Sequence, residues 1–498
     1  MPAVHRKRVS RIIRRRQAHG IHMDGNEDLG SGPSEGAVDP SGVSGLKICV
    51  NTQTPLIWFT HEIGPLDDGT KVTDLSQLKE GDDYNYSSGG VTRMVLPLLK
   101  RMLSDGTVSE AHWVSLNPSA PETIKADGIT HHFVSLEKGR LANYGKVKEI
   151  MWKAAHGTTT DAITAEEIFM SDDFPDFSYY DRLTAEAINR LDKETDFDLF
   201  YLHDFQQLQI GHMLNTLKPK MYRWHIPFDY STFPEKWRET FITYFNSYDM
   251  MIVSSSKYLE SLKEFGYSGI IKKLYPYVDP SDYSVPKPEE TSALCERLGI
   301  TNGDEVILVV ARMDPMKGQD HAISAFASIF GKYPSLKLVL VGNGSFSSSK
   351  RGVGLSKGEK WRADLETQVQ KLGLEGRVIF AGHLSQQELD SMYERCLFTM
   401  LPSVKEGFGL VVVESWLHRK ACLITDRAGI TEIIKDGENG MLFNPDDAAG
   451  MAEKLARMVE DRGLRKLMAE KGSESARLCT IDEGLKAETK IIKELVGG

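Results

Sequence analysis

Short β-branched, apolar runs alternate with amphipathic stretches from residue 46 to the end of the chain. Leu46–Val50 opens a first series, continued by His112–Leu116, Leu199–His203, Met221–His225 and Met250–Ser254. A second series begins at Val306–Ala311 and continues with Leu336–Val341, Val378–Ala381, Leu397–Leu401 and Cys422–Thr425. Between the runs apolar residues recur at helical spacing, as at Val91, Met94, Val95, Leu98, Leu99 and Met102. Pro97 is expected to kink that helix or displace its start. Strands separated by helices predict parallel sheets with right-handed crossovers, and two such series predict two doubly wound α/β domains. The break falls in Asp279–Thr291, which is polar, holds three prolines and has no periodicity, as a linker should. The expected organisation is a tail over 1–45, domains over 46–285 and 295–480, and a helix in 481–498. The first domain is the assumed docking place of that helix.

Composition narrows the picture. The chain has 498 residues, 41% hydrophobic and 26% charged, which suits two domains with tails. A net charge of −10 gives no reason to expect a nucleic-acid partner. The five cysteines are scattered singly, with no Cys-x-x-Cys and no His/Cys cluster for a metal. That pattern fits reduced thiols in a cytoplasmic protein. No apolar stretch approaches the roughly 18 residues of a membrane-spanning helix. Residues 1–16 carry Arg6, Lys7, Arg8, Arg11, Arg14, Arg15 and Arg16 without an acid or an apolar core. A disordered basic tail followed by a Gly/Ser-rich linker is the expectation; a transit peptide or a tether to an anionic surface stays open.

The candidate chemistry sits where strands end. Glu406-Gly-Phe-Gly-Leu-Val-Val-Val-Glu414 places two carboxylates around a Gly-x-Gly turn, with an apolar helix starting at Leu410. The N–H groups of Gly407, Phe408 and Gly409 can serve sugar hydroxyls or phosphate, and a helix N-terminus attracts anions. Glu414, one turn further, can reach ribose hydroxyls. Arg312 and Lys317, five residues apart after a strand, can converge on a diphosphate. Ser87-Ser88-Gly89-Gly90 precedes the helix of the first domain, and its glycines permit close ligand approach. The loop Trp58–Tyr86 is a candidate wall of an acceptor pocket. His203-Asp204 and His225-Ile226-Pro227-Phe228-Asp229 end two strands, where they can bind hydroxyls and orient an attacking oxygen. Gly342 after Val341, and His383 after Gly382, are candidates for close approach to the ligand and for main-chain contacts to a base.

Arg312…Lys317 and Glu406…Glu414 in this order, behind a Gly-Gly loop, resemble retaining glycosyltransferases of the GT-B type, over roughly residues 46–480. His203-Asp204 and His225-Ile226-Pro227-Phe228 are similar, more narrowly, to trehalose-6-phosphate synthases and to glycosyltransferring trehalose synthases. The Arg223-Trp224-His225 context is the more similar to the second group. The resemblance implies two Rossmann-like domains facing a central cleft, the first for the acceptor and the second for the donor. It implies His225 at the donor sugar's 6-hydroxyl, Asp204 at acceptor hydroxyls, and Glu406 with the glycine turn at the 3- and 4-hydroxyls. Arg312 and Lys317 would neutralise the diphosphate, and Glu414 would bind ribose. UDP-, ADP- or GDP-glucose would be the co-substrate, with no tightly bound cofactor and no required metal; stimulation by magnesium and assembly as a homodimer are left open.

The expected reaction is transfer of a hexosyl unit, glucosyl by resemblance, to a sugar acceptor with retention, glucose giving trehalose being the leading case. A retaining glycosidase needs a nucleophilic carboxylate about 5–5.5 Å from its partner. No carboxylate is evidently placed for that, so the leaving diphosphate would accept the acceptor's proton. Trehalose-6-phosphate synthesis and a trehalose phosphorylase are the alternatives within the same fold. An epimerase and a non-catalytic sugar-binding protein are the more distant ones.

Overall fold

In the computed structural model residues 45–497 are described, apart from 67–68, 88–89, 118, 160 and 344–352. The basic stretch and Gly89 therefore lie outside the described residues. The first series of runs forms β1 (Leu46–Asn51), β2 (Ile57–Phe59), β3 (Tyr84–Tyr86), β4 (Val108–Leu116), β5 (Thr123–Ala126), β6 (Ile129–Val134), β7 (Leu199–His203), β8 (Lys220–Arg223), β9 (Met250–Val253) and β10 (Ile270–Lys273). The second forms β11 (Glu305–Val310), β12 (Leu336–Val341), β13 (Val378–Gly382), β14 (Phe398–Leu401), β15 (Ala421–Thr425) and β16 (Met441–Phe443).

Two sheets result. One has eight strands in the order β10-β9-β8-β7-β1-β4-β6-β5, and the other six in the order β13-β12-β11-β14-β15-β16. Within the two large sheets every pairing is parallel except β5 with β6. The central strands are buried almost throughout, as helices on both faces of a parallel sheet require. In the first sheet the chain winds outward from β1 through β4 and then from β7 on the other side. In the second it winds from β11 through β12 and then from β14. The strand order reverses between β1 and β7 and between β11 and β14, and ligands of open α/β sheets bind at the carboxyl ends there. His203, Arg312 and the turn before Leu410 occupy those ends.

The C-terminal helix Ile481–Gly497 packs on the helix Gly90–Ser104 and joins the core of the first sheet through Ile481, Ile491, Ile492 and Leu495. Its Glu488 is fully buried beneath β7 and β8. It takes hydrogen bonds from Tyr201, from Tyr277 at 2.7 Å and from Arg223 Nη1 at 3.0 Å. Burial disfavours the Arg223 charge, but Tyr201 and Glu488 more than offset this and hold it firmly protonated. Gly484 is small because a Cβ there would stand 2.1 Å from the Tyr277 ring.

Several sequence expectations are corrected. The run Met221–His225 is a strand only to Arg223; Trp224 after it is buried in the core against Phe205, Phe228 and Phe245. Asp279–Thr291 is not wholly irregular: the helix Pro288–Arg297 begins inside it, with Pro288 in its first turn and Glu290 reaching back to the Lys287 N–H at 3.2 Å. The loop Trp58–Tyr86 carries the antiparallel β2–β3 pair. Pro97 lies within the helix Gly90–Ser104 and does not displace its start. The short strands β5, β6, β10 and β16 were not anticipated. Among the described residues no helix is long and apolar enough to cross a membrane, and no group of three or more His, Cys, Asp or Glu is arranged to hold a metal ion.

Candidate functional site

The apolar run after Gly409 forms the helix Leu410–Leu417, and its buried Val412, Val413 and Trp416 explain why it is helical and where it lies. Each such side chain stabilises by about 1.5–3 kcal/mol when fully buried. Ser415 ties the helix to β14 through Thr399 at 2.7 Å, and Trp416 Nε1 donates to the Asn439 carbonyl at 3.0 Å. Gly409 caps the helix with φ +103°, a left-handed conformation that favours glycine, and supplies no side-chain cap bond. Gly407 is required for a second reason. A Cβ there would stand 2.8 Å from the carbonyl oxygen of His225, so the turn of the second domain touches the strand end of the first.

Glu406 is the centre of this turn. Its Oε2 accepts from Lys317 Nζ at 2.7 Å and from Ser403 Oγ at 3.0 Å, while its Oε1 takes the Gly407 N–H at 3.1 Å. The pair is largely buried, with 18% and 15% of the two side chains exposed. Burial alone would raise the Glu406 carboxyl; Lys317 and Ser403 overcome it and hold the group below the usual carboxylate range. Tyr258 of the first domain donates to the Glu406 carbonyl at 3.0 Å. Lys317 therefore faces a carboxylate from its own domain. Arg312, after β11, is exposed, and its carbonyl is held by Gln319 Nε2 at 2.7 Å.

On the first domain His203 Nδ1 and His225 Nε2 lie 3.0 Å apart, and their rings stack at 5.3 Å. Burial drives both imidazoles well below their ordinary value, Arg223 acts in the same direction on each, and His203 adds to the effect on His225. Both rings are neutral at pH 7, so one donates to the other. Asp204 has φ +71°, uncommon for a residue with a side chain. Its Oδ1 is buried with no hydrogen-bond partner among the described residues, and burial raises its carboxyl to about 7 against the N–H groups of Phe205 and His225. Asp204 thus combines an uncommon backbone conformation with an unsatisfied buried acceptor at a strand end. Asp229 caps the turn at Tyr230 and pairs with Lys405 at 3.4 Å.

Glu414 is held by two tyrosines, Tyr283 Oη at 3.3 Å and Tyr393 Oη at 3.0 Å. It lines a cavity of about 110 Å³ with Gly90, Asp282 and Leu410, so the glycine loop of the first domain and this carboxylate share one space. Gly342 has a packing role: a Cβ there would stand 2.1 Å from the Ala311 carbonyl oxygen. His383 is exposed at the end of β13.

Some neighbours of the site carried no signal in the sequence. The helix Lys138–Ala155 ends beside the turn: a Cβ at Gly157 would lie 3.6 Å from Lys405 Nζ. The same helix meets the second domain at Glu149, 3.2 Å from Lys357 Nζ. Burial and the nearby Arg312 charge lower the Lys148 ammonium, with Glu149 opposing. Glu432, just after the Gly429 turn, takes the Ser256 N–H at 2.6 Å, Ser256 Oγ at 3.0 Å, Tyr275 Oη at 2.7 Å and the Lys273 ammonium, all from the first domain. Only the i,i+4 spacing of Trp152 and His156 is visible in the sequence, and it does not say what faces them.

Two parallel sheets with their carboxyl ends opposed are the GT-B fold of glycosyltransferases. Residues 292–475, which hold the second of them, match the family Glycosyl transferases group 1. D-inositol 3-phosphate glycosyltransferase of Acidothermus cellulolyticus is 32% identical over 183 residues, 36% of this chain and 38% of the relative. The same-named protein of Corynebacterium jeikeium is 24% identical over 319 residues, 60% of this chain and 73% of the relative. The chain spans under half the length of the first relatives it matches, 38% and 43% for two of them. Among solved structures, trehalose-6-phosphate from E. coli bound with UDP-2-fluoro glucose superposes with a TM-score of 0.69 at 16% identity, covering 90% of this chain and 99% of that one. Sucrose-phosphate synthase from Thermosynechococcus elongatus gives 0.65 at 18% identity, covering 91% and 99%. HepE of Anabaena in complex with UDP and glucose gives 0.62 at 17% identity, covering 90% and 100%.

Proposed function

We propose that this protein is a retaining hexosyltransferase that moves a glucosyl unit from a nucleotide sugar to a sugar acceptor. The observation that carries the reading is the Lys317–Glu406–Gly407 arrangement pressed against the His225 strand end. It joins a cation for a leaving diphosphate, a carboxylate for sugar hydroxyls and a close contact between the two sheets. Lys317 and Arg312 stabilise charge that develops on the diphosphate as the glycosidic bond breaks. Glu406 and the main-chain N–H groups of the turn hold the sugar, and Glu414 with its two tyrosines binds the ribose. The His203–His225 pair, neutral at working pH, offers hydrogen bonds to the transferred sugar without adding positive charge. Asp204, with its unsatisfied oxygen, receives an acceptor hydroxyl. The acceptor proton leaves to the diphosphate, so no protein nucleophile is needed.

Glucose as acceptor, giving trehalose, is the leading substrate reading, supported by the His203-Asp204 and His225-Ile226-Pro227-Phe228 segments. Glucose 6-phosphate is the second acceptor to consider, since a trehalose-6-phosphate structure is among the neighbours. The test is a matrix of UDP-, ADP- and GDP-glucose against glucose, glucose 6-phosphate and inositol phosphate, with products read by mass spectrometry. A hexosyl-transfer product in at least one cell supports the reading. Silence across the matrix, together with phosphate-dependent cleavage of trehalose, would replace it with a phosphorylase.

A further inference from the structure

His156 closes the helix Lys138–Ala155 and is only 8% exposed. Its ring stacks on Trp152 at 3.8 Å between centroids, and its Nδ1 lies 2.8 Å from the Trp152 carbonyl oxygen. A carbonyl only accepts, so Nδ1 carries the proton and Nε2 is left as an acceptor. No protein partner for Nε2 exists among the described residues. The following residue, Gly157, lies beside the turn of the second domain: a Cβ there would stand 3.6 Å from Lys405 Nζ and 3.1 Å from Thr232 Cγ2. Lys405 immediately precedes Glu406, and Lys317 and Glu406 are among the charges the ring feels.

We propose that His156 is a sugar-contacting residue whose Nε2 accepts a hydrogen bond from a hydroxyl of the transferred hexose. This rests on the glycosyltransferase reading above. The ring is kept neutral: burial lowers it to about 3, against the Trp152 carbonyl, with Lys317 reinforcing burial. A group that weakly basic does not remove protons at neutral pH, so its contribution is to bind and orient. Stacking alone would be served by any aromatic ring, whereas a neutral acceptor with a fixed tautomer suits a hydroxyl. The first domain thereby grips the donor sugar opposite Glu406, and transfer depends on closure of both sheets around one hexose.

The test uses calorimetric titration of the full chain with UDP, ADP and GDP and with the corresponding nucleotide-glucose. His156→Phe keeps the stack on Trp152 and removes both nitrogens, while His156→Gln retains an acceptor near the Nε2 position. The expected result is roughly ten-fold weaker binding of the nucleotide-glucose to the Phe variant, with the parent nucleotide unchanged and most of the loss recovered by Gln. Equal losses for nucleotide and nucleotide-glucose, or no loss for either, would overturn the inference. Failure of the wild type to bind any of these ligands would overturn the glycosyltransferase reading itself, and this inference with it. A melting temperature unchanged in His156→Phe confirms that the comparison is between folded proteins.

Discussion

Replacing Lys317 by alanine separates the structural from the catalytic work of the central ion pair. The change strands a largely buried carboxylate, since Lys317 Nζ and Glu406 Oε2 are 2.7 Å apart with 18% and 15% of their side chains exposed. Breaking a buried pair from one side costs about 3–5 kcal/mol. Ser403 Oγ and the Gly407 N–H still hold the carboxylate, and residual exposure screens it, so about 2–3 kcal/mol is expected here. For a domain of this size that corresponds to a melting temperature lower by roughly 5–10 °C. The loss is pH-dependent. In the wild type the Glu406 carboxyl lies low, so its stabilisation is present above the unfolded value near 4.3 and lost as pH falls through the folded value. Without Lys317 burial pushes the carboxyl up, and stability then falls as pH rises above the unfolded value. The gap between variant and wild type therefore widens as pH rises above the unfolded value near 4.3. Catalysis should drop by about 10²–10³ in kcat, the effect of removing one group that stabilises developing charge. The decisive comparison is Lys317→Ala/Glu406→Gln. Neutralising the stranded carboxylate should restore most of the melting temperature at pH 7 and none of the activity. Calorimetric melts at pH 4.5 and 7 and a transfer assay measure both. A single variant that melts like the wild type at pH 7, or a double variant that regains transfer, would refute the reasoning.

Gly407→Ala brings a Cβ to 2.8 Å from the His225 carbonyl; turnover should fall at least ten-fold with circular dichroism unchanged, and wild-type kcat would show that the turn does not need this contact. Asp204 titrates near 7 through burial, so kcat/KM should show an inflection near pH 7 that vanishes in Asp204→Asn. Because its folded value is raised, Asp204→Asn should also gain stability over the wild type as pH rises from about 4 to 7; parallel melting curves across that range would contradict the burial argument. Glu414→Ala should raise the donor KM by about ten-fold with little change in kcat, and an unchanged KM would exclude a ribose contact. Glu432→Ala removes four donors of the first domain from one carboxylate of the second; domain separation measured by small-angle scattering should increase, and an unchanged profile would show that the contact does not hold the sheets together.

Much of the fold was legible because parallel strands buried on both faces write themselves as continuous apolar runs. Leu199–His203 and Leu336–Val341 are read from the sequence to the residue. Three of the four edge strands were not: β10 has exposed Ile270 and partly exposed neighbours, and β5 and β16 are four and three residues long, too short to show a period. At the site, Glu406, Lys317 and Gly407 come together because each lies at the carboxyl end of a strand, and strand ends can be found from hydrophobic runs. Partners from separate elements left no such trace. Tyr283 and Tyr393 meet at Glu414 from a linker and a helix, and Glu488 reaches Arg223 from 265 residues away. His156 is silent for the same reason, since nothing local to Trp152–Gly157 tells that Lys405 lies beside Gly157. Gly342 shows the converse. Its glycine is explained by the Ala311 carbonyl, a packing requirement that resembles a ligand-binding one in sequence.

The stereochemistry of transfer tests the central claim most directly. The wild-type protein would be incubated with α-configured nucleotide-glucose and the acceptor that gives product, and the new linkage followed from its first appearance by anomeric proton NMR. The account predicts an α-linked product, lost in Lys317→Ala, because the acceptor attacks the face the diphosphate leaves and Lys317 stabilises that departure. A β-linked product would contradict it, because inversion requires attack from the face opposite the departing diphosphate.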